Sequence, residues 1–123
     1  MNTVLILTDQ QPKWTVGAYG GRCNTPNLDR LAAEGVRFDR AYTASPVCTP
    51  ARGAIFTGLY PQLNGAWANC MTVHRHVPMM GTIFRDLGYR AGYTGKWHLD
   101  GHGYDGHGEA DGGFEADWWF DRV

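Results

Sequence analysis

Cys48-Thr49-Pro50-Ala51-Arg52 sets a nucleophile, a helix-starting proline and a fixed cation within five residues. Pro50 suits the first turn of a helix, where its missing N–H has no partner to lose. The spacing predicts a helix with Cys48 at the N-cap, so that free backbone N–H groups and the positive end of the dipole face its side chain. Arg52 falls one turn further on and adds positive charge. Such a position is built for an oxyanion. Taken alone, Cys48 also reads as a small buried hydrophobe at a helix–loop junction, the commonest fate of a free cysteine.

Two further groups carry hard chemistry. Asp9 and Gln10 follow Val4-Leu5-Ile6-Leu7, an apolar run of the kind shown by a buried parallel strand. Ligands gather at the carboxyl ends of such strands. A carboxylate beside an amide oxygen suits Ca²⁺ or Mg²⁺ and not a soft metal, although an Asp after a strand also commonly caps the next turn. Lys96 and His98 lie in Gly95-Lys96-Trp97-His98-Leu99, after a predicted strand over Tyr89 to Thr94. A lysine stabilises charge developing on a transferring group, and a histidine handles a proton. Alternation in an extended segment predicts Lys96 and His98 on one side and Trp97 on the other.

In their order along the chain these segments resemble the type I sulfatases. The resemblance rests on C-x-P-x-R from Cys48, T-G-x-x-P from Thr57, G-K-W-H-L from Gly95, and T-P-N-L-D-x-L-A-x-x-G-V-x-F from Thr25. It implies that a formylglycine-generating enzyme oxidises Cys48 to formylglycine during maturation. The hydrated aldehyde then carries two hydroxyls, one attacking sulfur and the other expelling sulfate afterwards. It further implies Arg52, Lys96 and His98 around the sulfate, with Lys96 on the sulfate and formylglycine oxygens and His98 on the formylglycine hydroxyl. Asp9, Gln10 and residue 48 would be ligands of Ca²⁺, with Mg²⁺ or Mn²⁺ as alternatives. Many members carry two aspartates where this chain has Asp9-Gln10, a pair similar to that of the choline-sulfatase-like and phosphonate-monoester-hydrolase-like branches. In the latter branch an asparagine lines the site at about the distance of Asn69 from the signature cysteine. The expected reaction is hydrolysis of a sulfate monoester on a small molecule or sugar. Phosphonate monoester or phosphodiester hydrolysis at the same site, and a non-catalytic sulfatase-like domain, are the alternatives.

The elements that must position these groups follow from local pattern. Thr25 is expected to cap a helix begun by Pro26 and stopped by Gly35, with Leu28, Leu31 and Ala32 on one face. Val36 to Tyr42 reads as a strand, and Thr82 to Leu87 as a helix. Residues 100–113 contain six glycines and read as a glycine-rich loop, in which His102, Asp105, His107, Glu109 and Asp111 are the less favoured metal reading. Phe114, Trp118, Trp119 and Phe120 form an aromatic cluster expected to need a partner surface. His74 and His76 are expected in solvent. The fold class is therefore α/β. The resemblance implies an alkaline-phosphatase-like mixed sheet with flanking helices, of which residues 1–123 would be the N-terminal part of the catalytic domain.

Composition is ordinary for a globular α/β chain, at 43% hydrophobic and 19% charged residues. The formal net charge of −1 gives no electrostatic drive toward nucleic acid or membrane. No run approaches the roughly 20 apolar residues of a membrane span. The start has no signal-peptide pattern, so a cytoplasmic location is the expectation, with a periplasmic or secreted one if a signal has been removed. Cys23, Cys48 and Cys70 lack metal-site spacing, and Cys23 and Cys70 are expected as free thiols. Type I sulfatases are far longer than 123 residues, so the expectation is a fragment that is inactive alone.

Overall fold

The computed structural model describes residues 1–102 and 106–121, and the chain divides into two compact units, Met1–Tyr42 and Thr43–Val123. In the first unit, 3₁₀ turns at Lys13–Thr15 and Gly17–Tyr19 precede helix α1, Pro26–Glu34. Pro26 opens α1 and Gly35 closes it, donating its N–H to the Leu31 carbonyl at 3.0 Å. Thr25 stands at the N-cap, but its side chain caps nothing. Its hydroxyl donates to Asp29 Oδ1 at 2.9 Å and accepts from the Gly17 N–H at 2.8 Å. Asp29 Oδ1 also accepts from the Ala18 N–H at 2.7 Å. The first turn of α1 is thus tied to the preceding 3₁₀ turn. A Cβ at Gly17 would lie 2.5 Å from Asp29 Oδ2, which explains the glycine there.

The strands expected at Val4–Leu7 and Val36–Tyr42 do not form among the described residues. Both segments are exposed, Val4 at 83% and Phe38 at 69%. A β-strand exists only where a neighbour takes its N–H and C=O groups, and a parallel one needs cover on both faces. Apolar sequence alone supplies neither.

The second unit holds α2 (Cys48–Thr57), α3 (Pro61–Asn64), α4 (Met80–Asp86), β1 (Tyr93–Thr94) and β2 (Trp119–Phe120). The strand expected over Tyr89–Thr94 shortens to β1. It pairs in parallel with β2, Tyr93 opposite Trp119 and Thr94 opposite Phe120. The glycine-rich stretch crosses between these strands, and Asp105 lies outside the described residues. Asp100 accepts from the His102 N–H at 3.0 Å and the His107 N–H at 3.2 Å, so one carboxylate holds two backbone positions of that stretch. Asp121 accepts from the Gly108 N–H at 3.3 Å.

Trp97 is the centre of the core, with no exposed surface. Phe56 and Tyr93 each lie 5.0 Å from it between ring centroids, Trp119 5.1 Å and Phe114 5.9 Å. Its indole N–H donates to Asp111 Oδ2 at 3.2 Å. Aromatic rings contribute most of the buried apolar area in so small a unit, and tilted or edge-on packing suits their quadrupoles. The expected aromatic cluster at residues 114–120 therefore splits. Phe114 and Trp119 join this core, while Trp118 and Phe120 stay 43% and 63% exposed. Arg90 covers part of the Trp118 ring at 3.9 Å.

Helix α4 crosses the glycine-rich stretch at van der Waals limits. The Thr82 N–H donates to the Gly112 carbonyl at 2.9 Å, and a Cβ at Gly81 would lie 2.6 Å from that same oxygen. Gly81→Ala gains roughly 1 kcal/mol of helix propensity. It should nevertheless destabilise the protein by about 1–3 kcal/mol through the main-chain clash. The denaturation midpoint checks this, and a rise would show that the crossing relaxes.

Candidate active site

Helix α2 begins at Cys48 with Val47 as its N-cap, so Cys48 is the first helical residue and not the cap itself. Pro50 then stands third, still in the turn whose N–H groups have no intrahelical acceptor. Valine offers no capping oxygen. Asn69 supplies one from a distant loop, its Oδ1 accepting the Thr49 N–H at 3.1 Å. Cys48 is half-buried at this end of α2.

The far end of α2 explains the second part of the signature. Gly58 ends the helix at φ +70°, and Thr57 Oγ1 donates to the Gly53 carbonyl at 2.6 Å. Buried Asn64 donates through Nδ2 to Thr57 Oγ1 at 3.2 Å and to the Leu59 carbonyl at 3.1 Å, while its Oδ1 accepts from the Ala66 N–H at 2.8 Å. The T-G-x-x-P corner therefore fixes the helix rather than touching the chemistry.

Three contacts bring the second signature segment onto α2. Thr49 Oγ1 donates to the His98 carbonyl at 2.9 Å, fully inside the protein. Arg52 Nη1 donates to the Lys96 carbonyl, and to the Tyr93 hydroxyl at 3.3 Å. The Tyr93 hydroxyl in turn donates to the same Lys96 carbonyl. Arg52 is only 5% exposed. A guanidinium at that depth is tolerable because its donors are engaged, and these bonds direct Nη1 at the backbone of the 96–98 segment. Burial pushes the Tyr93 phenol above its usual range, and the Arg52 charge opposes this only in part.

His98 is 1% exposed and takes φ +60°, a left-handed conformation. The expected alternation of Lys96 and His98 about Trp97 fails here, because a left-handed residue breaks the period-two pattern of an extended chain. Trp97, His98 and Leu99 are all buried in succession. Nε2 of His98 meets Cys70 Sγ at 3.9 Å. Cys48, Arg52, Asn69, Lys96 and His98 thus belong to one bonded arrangement at the start of α2, each either making one of these contacts or adjoining a residue that does. Thr49, Cys70 and Tyr93 belong to it too. Sequence reasoning missed these three, although Thr49 and Cys70 directly follow named site residues.

Asp9 and Gln10 lie in the first unit, both exposed, with Gln10 at φ +55°. Among the described residues no group of three or more His, Cys, Asp or Glu side chains is arranged to hold a metal ion. His74 and His76 are exposed as expected, with their rings stacked 5.5 Å apart. Cys23, Cys48 and Cys70 are free thiols.

A model of the Sulfatase family matches residues 1–123. The uncharacterized sulfatase YidJ of Escherichia coli is 50% identical over 99% of this chain and 25% of its own length. An ulvan-active sulfatase of Formosa agariphila is 46% identical over 82% of this chain and 20% of its own length. Among solved structures, a protein in complex with its substrate D-glucosamine-2-N,6-O-disulfate superposes with a TM-score of 0.68 and 34% identity, over 73% of this chain and 18% of that one. The chain spans a quarter or less of the length of these relatives.

The Tyr93 hydroxyl gives the site a pH signature. Its folded pKa is raised, so above about pH 10 the unfolded chain loses this proton first. The stability it contributes is present below that pH and is lost as pH rises through the folded value. Tyr93→Phe should remove this alkaline slope and cost about 0.5–1.5 kcal/mol at neutral pH through the lost hydrogen bond. Unfolding midpoints between neutral and alkaline pH test both parts. An unchanged alkaline slope in the variant would refute the assignment.

Proposed function

The chain belongs to the sulfatase family, and from that premise we propose that the protein hydrolyses sulfate monoesters at residue 48, with a sulfated sugar as substrate class. The observation that carries the reading is the bonding of the Cys48–Arg52 turn to the Lys96–His98 segment, 44 to 49 positions away in sequence. Chance would not tie both signature segments to one helix terminus. The sugar is supported by the ulvan-active relative and by the disulfated glucosamine held by the structural neighbour.

Cys48 heads the C-x-P-x-R motif as the first residue of α2, and that motif is what supports its conversion to formylglycine. Formylglycine would supply a hydrated aldehyde, one hydroxyl to attack sulfur as the ester's alcohol departs and one to release sulfate afterwards. The remaining roles belong to ordinary side chains. The positive end of the α2 dipole favours the sulfate oxygens, the Thr49 and Ala51 N–H groups being already engaged by Asn69 Oδ1 and the Val47 carbonyl. Lys96 sets its ammonium against charge building on the group in transfer. His98 holds a proton at the hydroxyl that is not attacking. Arg52, whose Nη1 is spent on the Lys96 carbonyl, acts chiefly by fixing that backbone.

A divalent cation fits the donor chemistry of Asp9 and Gln10, both hard oxygen ligands. Two such donors are far short of the six to eight oxygens that calcium takes, and the described residues offer no completed cluster. No step is derived through the ion.

In the full protein the Cys48 peptide should be lighter than its cysteine form by about 18 Da, the loss that accompanies conversion to the aldehyde nucleophile. Cys48→Ala should abolish sulfate release. Lys96→Ala should lower kcat by about 10²–10³ with a smaller change in KM, as for loss of an oxyanion donor. Steady turnover by Cys48→Ala would overturn the reading, and an unmodified Cys48 in inactive protein would favour a non-catalytic domain.

A further inference from the structure

Cys70 has no role in the chemistry described above, yet its sulfur lies 3.9 Å from Nε2 of buried His98. The residue is itself exposed, so solvent reaches the histidine's neighbour while the ring stays inside. Its backbone sits at φ +62°, a left-handed conformation that a side chain bearing Cβ adopts rarely. Such conformations persist only where the surroundings over-determine them, and they gather at functional sites. Here the surroundings are identifiable. Asn69, one residue earlier, is fixed on the Thr49 N–H at 3.1 Å. Thr72, two residues later, forms an antiparallel bridge with Asp100. The partner residue is held just as firmly, for the His98 carbonyl accepts from Thr49 Oγ1 at 2.9 Å. Two left-handed residues, each anchored to α2 or to the segment after His98, are thereby brought side chain to side chain.

We propose that Cys70 is a positioning residue for His98, holding the imidazole through Nε2 in the orientation that presents the ring to residue 48. A thiol donates weakly to a bare imidazole nitrogen and accepts weakly from a protonated one, so it steers the ring in either state. One consequence is chemical sensitivity. A substituent on Cys70 Sγ replaces the thiol proton and removes the donor that steers Nε2. Alkylation of Cys70 should therefore lower turnover as Cys70→Ala does, without touching residue 48.

The inference rests on the sulfatase reading for its activity arm alone. Iodoacetamide alkylates a thiol by forming an S–C bond, expelling iodide and releasing the thiol proton to solvent. In the full protein, peptide mass spectrometry follows this reaction at Cys70 and at exposed Cys23, which lies in the other unit and serves as the control. His98→Gln should change the Cys70 rate at least about threefold, because the imidazole sets the thiol's environment. The Cys23 rate should stay the same. With p-nitrophenyl sulfate as the probe, Cys70→Ala should lower kcat at least about fivefold with KM within about twofold, and Cys70→Ser should recover most of the loss. Equal Cys70 rates with and without His98 overturn the contact. Wild-type kcat in Cys70→Ala overturns the positioning role. Absence of turnover in every form counts against the sulfatase reading instead, and the alkylation comparison then decides the proposal by itself.

Discussion

The backbone carbonyl of Lys96 accepts from both the Arg52 guanidinium and the Tyr93 hydroxyl, and much of the second unit is arranged around that shared acceptor. A guanidinium cannot be brought almost fully out of water without partners. The carbonyl and the phenol meet that need at Nη1, and both belong to the segment that carries Lys96 and His98. Once the helix docks, only a geometry that supplies these acceptors leaves Arg52 satisfied, so its burial selects how the signature helix meets its companion segment. Nη1 carries two N–H bonds fixed in the guanidinium plane, so this one nitrogen serves both acceptors.

The aromatic core supports the same junction from below. Phe56 projects from α2, Tyr93 from β1 and Trp119 from β2, and all pack on Trp97. Trp97 stands between Lys96 and His98 in the chain, so the residue that anchors the core also fixes its two neighbours. Core packing and site geometry are coupled through one residue. A change in the aromatic cluster should therefore be felt at the site even though no ring touches residue 48 in the contacts described.

Charge is used sparingly for stability elsewhere. Arg90 grips Glu115 at 2.9 and 3.0 Å on the surface, and this pairing lowers the Glu115 carboxyl below its usual range. A pair so exposed contributes little in water. The buried carboxylates are more consequential. Asp100 and Asp121 accept backbone N–H bonds from residues 102, 107 and 108, and so pin three positions of the glycine-rich stretch where composition alone suggested a flexible loop. Oxygen acceptors at those positions offset the backbone entropy that glycine adds.

Sequence by itself determined the family, the start and stop of α1, and the start of α2 to within a residue. These are legible because Pro, Gly and the short signature motifs act locally, within one or two turns of chain. Tertiary structure alone decided the rest. The apolar runs at residues 4–7 and 36–42 form no strand in the described unit, because pairing partners and not propensity make a strand. The left-handed turn at His98 broke the alternation expected of an extended segment, and no local pattern announces a non-glycine residue in that conformation. Asn69 capping a helix 20 residues earlier, Tyr93 bridging Arg52 to Lys96, and Cys70 against His98 are all contacts between distant segments. Such contacts are set by packing of the whole unit, which one-dimensional spacing does not record.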